Sequence, residues 1–177
     1  APDMPVPGGL FPRAMLLSAQ GTLAFDLLTA LSQRLKRPLV RRRFAGAADE
    51  VHDVESDYLD LPNVGQAGWR LIANARNGLA MGMTHAFLPD HGAVVLMLCA
   101  DADRNRLVAE RVLSACRQVH HAPVFVALGT AESVTPELQE LVERQGLPWL
   151  SAVSPLKQPE PLDLWSALQP ALLQLEG

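Results

Sequence analysis

Three apolar runs, each leading through a short loop into a helical pattern, constrain this chain more than any other feature. Residues 15–17 read Met-Leu-Leu, 93–100 read AVVLMLCA and 123–128 read PVFVAL. Unbroken apolar runs suit strands buried on both faces, as in a parallel sheet covered by helices. After the first run come Ser18-Ala19-Gln20-Gly21 and a helical stripe of Leu23, Leu27, Leu28, Leu31 and Leu35, with Thr22 as a candidate N-cap and Pro38 as the stop. After the second come Asp101-Ala102-Asp103 and a long helical stretch. The third leads to Thr135-Pro136-Glu137, a capping hydroxyl, a proline at the first helical position and an acid in the first turn. That helix is expected to end at Gly146, with a short strand over 147–150 and a last amphipathic helix over 162–175. This alternation predicts an α/β fold: a single doubly wound, mostly parallel sheet with helices on both faces. Leu96 and Val126 are expected in the core of adjacent parallel strands. Residues 1–12, rich in proline and glycine, read as an extended N-terminal arm, and 13–177 as one domain.

The segments between the first helix and residue 93 are less regular. Residues 38–44 (PLVRRRF) have β-character, 45–56 are small and acidic and read as a loop, and 58–61 form a candidate strand. Glycines at 65, 68, 78 and 82 punctuate a mixed stretch, read as a helix over 68–77, a break, and a shorter helical piece ending before Pro89.

Composition narrows the function classes. The formal net charge is −4, which argues against a general nucleic-acid role. No run of apolar residues is long enough for a transmembrane helix and no signal peptide is evident, so direct membrane insertion is not expected. The two cysteines, Cys99 in an apolar run and Cys116 in a helical stretch, fit reduced core thiols in a cytoplasmic protein better than a disulfide framework.

The first strand–loop–helix unit has the outline of a phosphate-binding loop, GxxxxGK[ST]. Laid on that pattern, Ser18 falls at the first glycine, Leu23 at the second, Ala24 at the lysine and Phe25 at the Ser/Thr, and Gly21 is the only glycine in the loop. The lysine that reaches the phosphates and the hydroxyl that holds Mg²⁺ are both replaced by apolar residues. Further along, Asp60-Leu61-Pro62-Asn63 stands for a DxxG motif whose glycine is missing. Gly129-Thr130-Ala131-Glu132 lies where NKxD would read guanine, and Ser151-Ala152-Val153 lies at a SAK/SAL loop.

In the order of its elements, from about residue 13 to 175, the chain resembles the Ras-like small GTPase superfamily, and among bacterial members the gliding-motility and roadblock-partnered small GTPases. The resemblance, with its degraded motifs, implies a pseudo-GTPase: no catalysis, no cofactor, and a role as a protein–protein scaffold in a larger assembly such as those of bacterial secretion, motility or polarity. The degenerate phosphate loop would comprise Ser18, Gln20, Gly21, Thr22, Ala24 and Phe25. The partner-binding side would be the two segments after the first helix, with Arg41, Arg43, Trp69, Arg70 and Arg76 as contact residues, since Trp and Arg are favoured at hot spots. Met81, Met83 and Phe87 belong to the same stretch. An alternative stays open: a doubly wound domain that binds a nucleotide or another small anion at the Gln20-Gly21-Thr22 loop, because a helix N-terminus binds anions without lysine. A third reading is a receiver-like domain with Asp60 or Asp101 as acceptor.

The remaining polar clusters read more simply. His120-His121 lacks a third ligand at metal-binding spacing and suits a polar helix end. Asp101 and Asp103 fit a carboxylate pair or an N-cap, with Asp103 as the cap. Ser18 and Ser151 are not set in a nucleophile elbow.

Overall fold

A computed structural model describes residues 11–44, 54–74 and 92–176. The elements in order are β1 (Arg13–Ser18), α1 (Leu23–Leu35), β2 (Val40–Phe44), β3 (Val54–Leu61), β4 (Trp69–Asn74), β5 (Ala93–Met97), α2 (Ala102–Cys116), β6 (Val124–Thr130), α3 (Pro136–Arg144), β7 (Trp149–Ser154) and α4 (Pro161–Glu176). The seven strands form one sheet in the order β2-β3-β4-β1-β5-β6-β7. β4, β1, β5, β6 and β7 run parallel, while β3 is antiparallel to both of its neighbours. Taken in chain order, the five parallel strands are arranged 2-1-3-4-5, an order typical of doubly wound sheets.

Strand alternation splits the core into two layers. Leu16, Leu71, Val95, Met97, Val126 and Leu128 pack with Leu27, Leu28 and Leu31 of α1 and Leu168 and Leu172 of α4. Met15, Leu17, Val94, Leu96, Phe125 and Ala127 pack with Val108, Val112 and Leu113 of α2 and Leu138 and Val142 of α3. Leu96 and Val126 are fully buried, on adjacent parallel strands, as expected. α3 begins as its sequence indicates: Thr135 Oγ1 accepts the Leu138 N–H at 3.2 Å, Pro136 follows, and Gly146 takes a φ of +68° just past the end.

Four expectations need correction. The helix expected over 68–77 is strand β4 over its described part. Trp69, Leu71 and Ala73 enter one core layer and Arg70 and Ile72 face the other way, a period of two that the flanking glycines disguised. The strand expected at 58–61 starts at Val54, pairs with β2 over 54–58 and pairs with β4 over 56–61. The strand expected at 147–150 extends to Ser154, so Ser151-Ala152-Val153 lies inside β7 and the loop begins after it. Asp101, not Asp103, caps α2: its carboxylate accepts the N–H groups of Asp103 (3.1 Å) and Arg104 (3.2 Å). Arg76, Met81, Met83 and Phe87, the loop residues 45–53 and the arm residues 1–10 lie outside the described residues.

Candidate functional site

The chain leaves β1 toward β2, β3 and β4 and leaves β5 toward β6 and β7, so the sheet changes winding direction between β1 and β5. Open α/β sheets bind ligands at that point, beyond the carboxyl ends of the strands. A cleft of about 490 Å³ opens there, between the ends of β1, β5 and β6 and the loop after β7. Gln20, Cys99, Thr130, Glu132, Ser133 and Lys157 supply its polar wall, and Leu23, Leu98, Pro159 and Leu164 the apolar one.

The β1–α1 loop forms one lip. Gly21, with a φ of +70°, makes the turn. A phosphate-binding loop keeps its helix N-terminal amides free for the anion. Here the Ala24 N–H is buried and donates to Ser18 Oγ at 2.8 Å. Thr22 stands at the N-cap without making a capping bond; its hydroxyl donates to the Asp26 carboxylate at 3.2 Å. That carboxylate in the first turn complements the helix dipole where an anion would otherwise do so. Ala19 donates its N–H to Met97 O (2.9 Å) and accepts from Arg104 Nε (2.8 Å), which fastens the loop to β5 and α2. Gln20, Gly21 and Thr22 are exposed, Ala24 is buried and Phe25 is half-buried. Of these loop residues only Gln20 lines the cleft.

The segment after β5 is held by a residue that sequence reading passed over. Asn105 is 2 % exposed; its Oδ1 accepts the Cys99 N–H and its Nδ2 donates to the Cys99 carbonyl, both at 2.8 Å. Both backbone groups of Cys99 are thereby satisfied away from a strand partner. The available signal was an asparagine on the same helical stripe as Val108, Ala109, Val112 and Cys116. Across the cleft, Thr130 and Ser133 share a hydroxyl–hydroxyl bond of 2.8 Å, and a Cβ at Gly129 would approach Leu98 and Ser133 to 3.1 Å. Lys157 is the other feature that sequence reading left out. It is the one cation on the cleft wall among the described residues.

Asp60, Trp69 and Arg70 gather at the opposite end of the sheet. β3 runs antiparallel to β4, so Asp60-Leu61-Pro62 lies beside Trp69 and Arg70, next to the start of β1. It therefore stands away from the β1–α1 loop and cannot serve as the DxxG segment of a phosphate site, nor can Asp60 serve as an acceptor at the switch point. Asp60 instead binds Arg70 through two hydrogen bonds of 2.7 and 3.1 Å, and the guanidinium lies 4.1 Å from the centre of the Tyr58 ring. The bond to Asp60, opposed by burial, raises the Arg70 pKa above its ordinary value. Trp69 is 3 % exposed and its Nε1 donates to Glu176 Oε1 at 3.1 Å. A side chain so enclosed is a core residue and not a surface anchor. Arg41 pairs with the buried Asp57 at 2.9 Å across β2 and β3. Arg43 stands opposite Glu55 in the backbone register.

His120 and His121 are exposed in the turn after α2, with ring centroids 4.3 Å apart. Among the described residues no three His, Cys, Asp or Glu side chains are grouped to hold a metal. Burial pushes the Cys116 thiol up to about 11, away from the reactive range. Asp101 is engaged as a helix cap. No described helix is long and apolar enough to cross a membrane.

Compared with known proteins, the chain matches no protein-family model and none of the curated proteins.

Proposed function

We propose that this domain is a non-catalytic, Ras-like protein-interaction scaffold within a larger assembly, of the kind that serves bacterial secretion, motility or polarity. The observation that carries this reading is the β1–α1 loop. Phosphoryl transfer depends on amides, a lysine and Mg²⁺ placed around the phosphates. In this loop Ser18 occupies the Ala24 amide, Asp26 supplies negative charge, and residues 18–26 include no lysine or arginine, the Arg104 guanidinium being bound to the Ala19 carbonyl. A triphosphate would meet an acid and a filled donor. With Trp69 buried and Arg70 held by Asp60, the described part of the proposed contact surface is the β2 edge, with Arg41 and Arg43, while Arg76 lies outside the described residues.

Titration with GDP, GTP and ATP in the presence of Mg²⁺ tests the first half: the melting temperature should stay constant, because a ligand specific for the folded state must raise it. A rise of several degrees would overturn it. The second half is tested by recovering native partners with wild-type and Arg43→Glu protein; undiminished recovery by the variant removes the β2 edge as the contact surface. One observation favours a second reading, the cleft with Gln20 and Lys157 in its wall. A small anion or nucleotide bound there would stabilise the fold without hydrolysis, and Lys157→Ala would abolish that stabilisation.

A further inference from the structure

The two edges of the sheet differ in their protection. Natural edge strands are blunted by charge, proline or bulges, because their unpaired backbone groups recruit further strands. β2 carries three consecutive arginines. β7 reads Trp-Leu-Ser-Ala-Val-Ser, with no charge and no proline, and it is in register with β6 along all six residues without a bulge.

The direction of its free groups follows from one bond. Phe125 donates its N–H to the Pro148 carbonyl at 2.9 Å and stands beside Trp149. In a parallel ladder that phase turns the backbone groups of Leu150 and Ala152 toward β6 and those of Trp149, Ser151 and Val153 outward. Among the described residues nothing pairs with those three. Ser151 is exposed and Val153 is 40 % exposed.

We infer that β7 pairs antiparallel with β7 of a second copy about a two-fold axis through Ser151, joining two sheets into one. In this register Trp149 faces the partner's Val153 and Ser151 faces its own copy. All three outward residues then exchange both backbone bonds, and each side chain stays on its own face of the sheet. A pairing centred on Ala152 would instead set Trp149 against Pro155, which has no N–H to give. Every meeting in the Ser151 register is between uncharged residues, whereas two β2 edges would bring arginines together. Beside the edge runs a groove of about 340 Å³ between β7 and α4, walled by Ala152, Ser166, Ala167 and Pro170. It leaves room beside Ala152 for the partner's half-buried Leu150. A second copy is favoured over a free peptide because its strand is already ordered by β6, so pairing carries less loss of conformational entropy.

Sedimentation equilibrium and concentration-dependent hydrogen exchange on the intact chain test this. The expected result is a species of twice 19.2 kDa at concentrations on the order of hundreds of micromolar. Exchange of the Trp149, Ser151 and Val153 amides should slow as concentration rises, while Leu150 and Ala152 exchange at an unchanged rate. Ser151→Lys sets two like charges against each other at the axis and should raise the dissociation constant by roughly tenfold or more. Val153→Lys is the second variant should the first not fold. A monomer at every concentration overturns the inference, as does a dimer unmoved by both variants or one protected at other strands. Protection of the three amides by an added extended peptide, with the chain itself monomeric, overturns the second copy as occupant.

Discussion

In β5 every residue from Ala93 to Met97 is at most 1 % exposed, whereas β3 alternates, with Ser56, Tyr58 and Asp60 on one face and Asp57, Leu59 and Leu61 on the other. β5 lies between β1 and β6 with helices on both faces, so apolar contact alone accounts for its place. β3 lies in the antiparallel margin, where side-chain pairs supplement the ladder: Arg41 with Asp57, Arg70 with Asp60 and Arg70 over Tyr58. The difference teaches that one sheet can be held by two kinds of force. Its parallel centre depends on volume and its margin on matched charge.

The largest expected effect lies in the centre. Leu96→Ala should cost about 2–5 kcal/mol of unfolding free energy by urea denaturation, because its site is enclosed on all sides. A cost well under about 1 kcal/mol would break the picture of a tightly filled centre. In the margin, Asp60→Ala strands the Arg70 guanidinium, 15 % exposed, without its acceptor, and should cost about 1–3 kcal/mol. A neutral outcome would mean that the ladder alone holds β3 to β4.

The next prediction returns to the centre through pH. The Cys116 thiol ionises near 9.0 in an unfolded chain and near 11 in the fold, because burial disfavours the thiolate. The unfolded state therefore loses its proton first. Stability from this group is intact below pH 9.0, falls as pH rises toward about 11 and is lost above it, by on the order of 2 kcal/mol in total. Thermal melts of wild type and Cys116→Ala across that window should converge as pH rises; parallel curves would contradict the assignment. The smallest effect belongs to the β1–α1 loop. N-cap threonines replaced by alanine commonly cost about 0.5–2 kcal/mol, but Thr22 makes no capping bond, so Thr22→Ala should stay below about 0.5 kcal/mol.

The same contrast governs what could be read from the sequence. The runs at 93–100 and 123–128 announced β5 and β6, because a strand buried on both faces is apolar at every position. Thr135-Pro136 announced α3, because its start is local chemistry. β4 was not legible. Its Trp69-Arg70-Leu71-Ile72 carries a period of two over too few residues, and its strand conformation depends on β1 and β3, which are distant in sequence. The partner-surface reading of Trp69 failed for the same reason, since its burial follows from that pairing and from Glu176 at the far end of the chain. The cleft was legible in position, at the ends of the apolar runs, and in part of its lining, with Gln20, Gly129, Thr130 and Glu132, but not in its one lysine. Lys157 enters it from the loop after β7, whose strand extends beyond the apolar stretch that signalled it.

Phe11 and Glu176 meet at one turn. The Phe11 ring lies so close to Gly68 that an added Cβ there would approach to 2.8 Å, and Glu176 accepts the Gln66 N–H at 3.1 Å. Both ends of the described fold thus leave from the pole opposite the cleft. The mouth of the cleft is therefore clear of both Phe11 and Glu176.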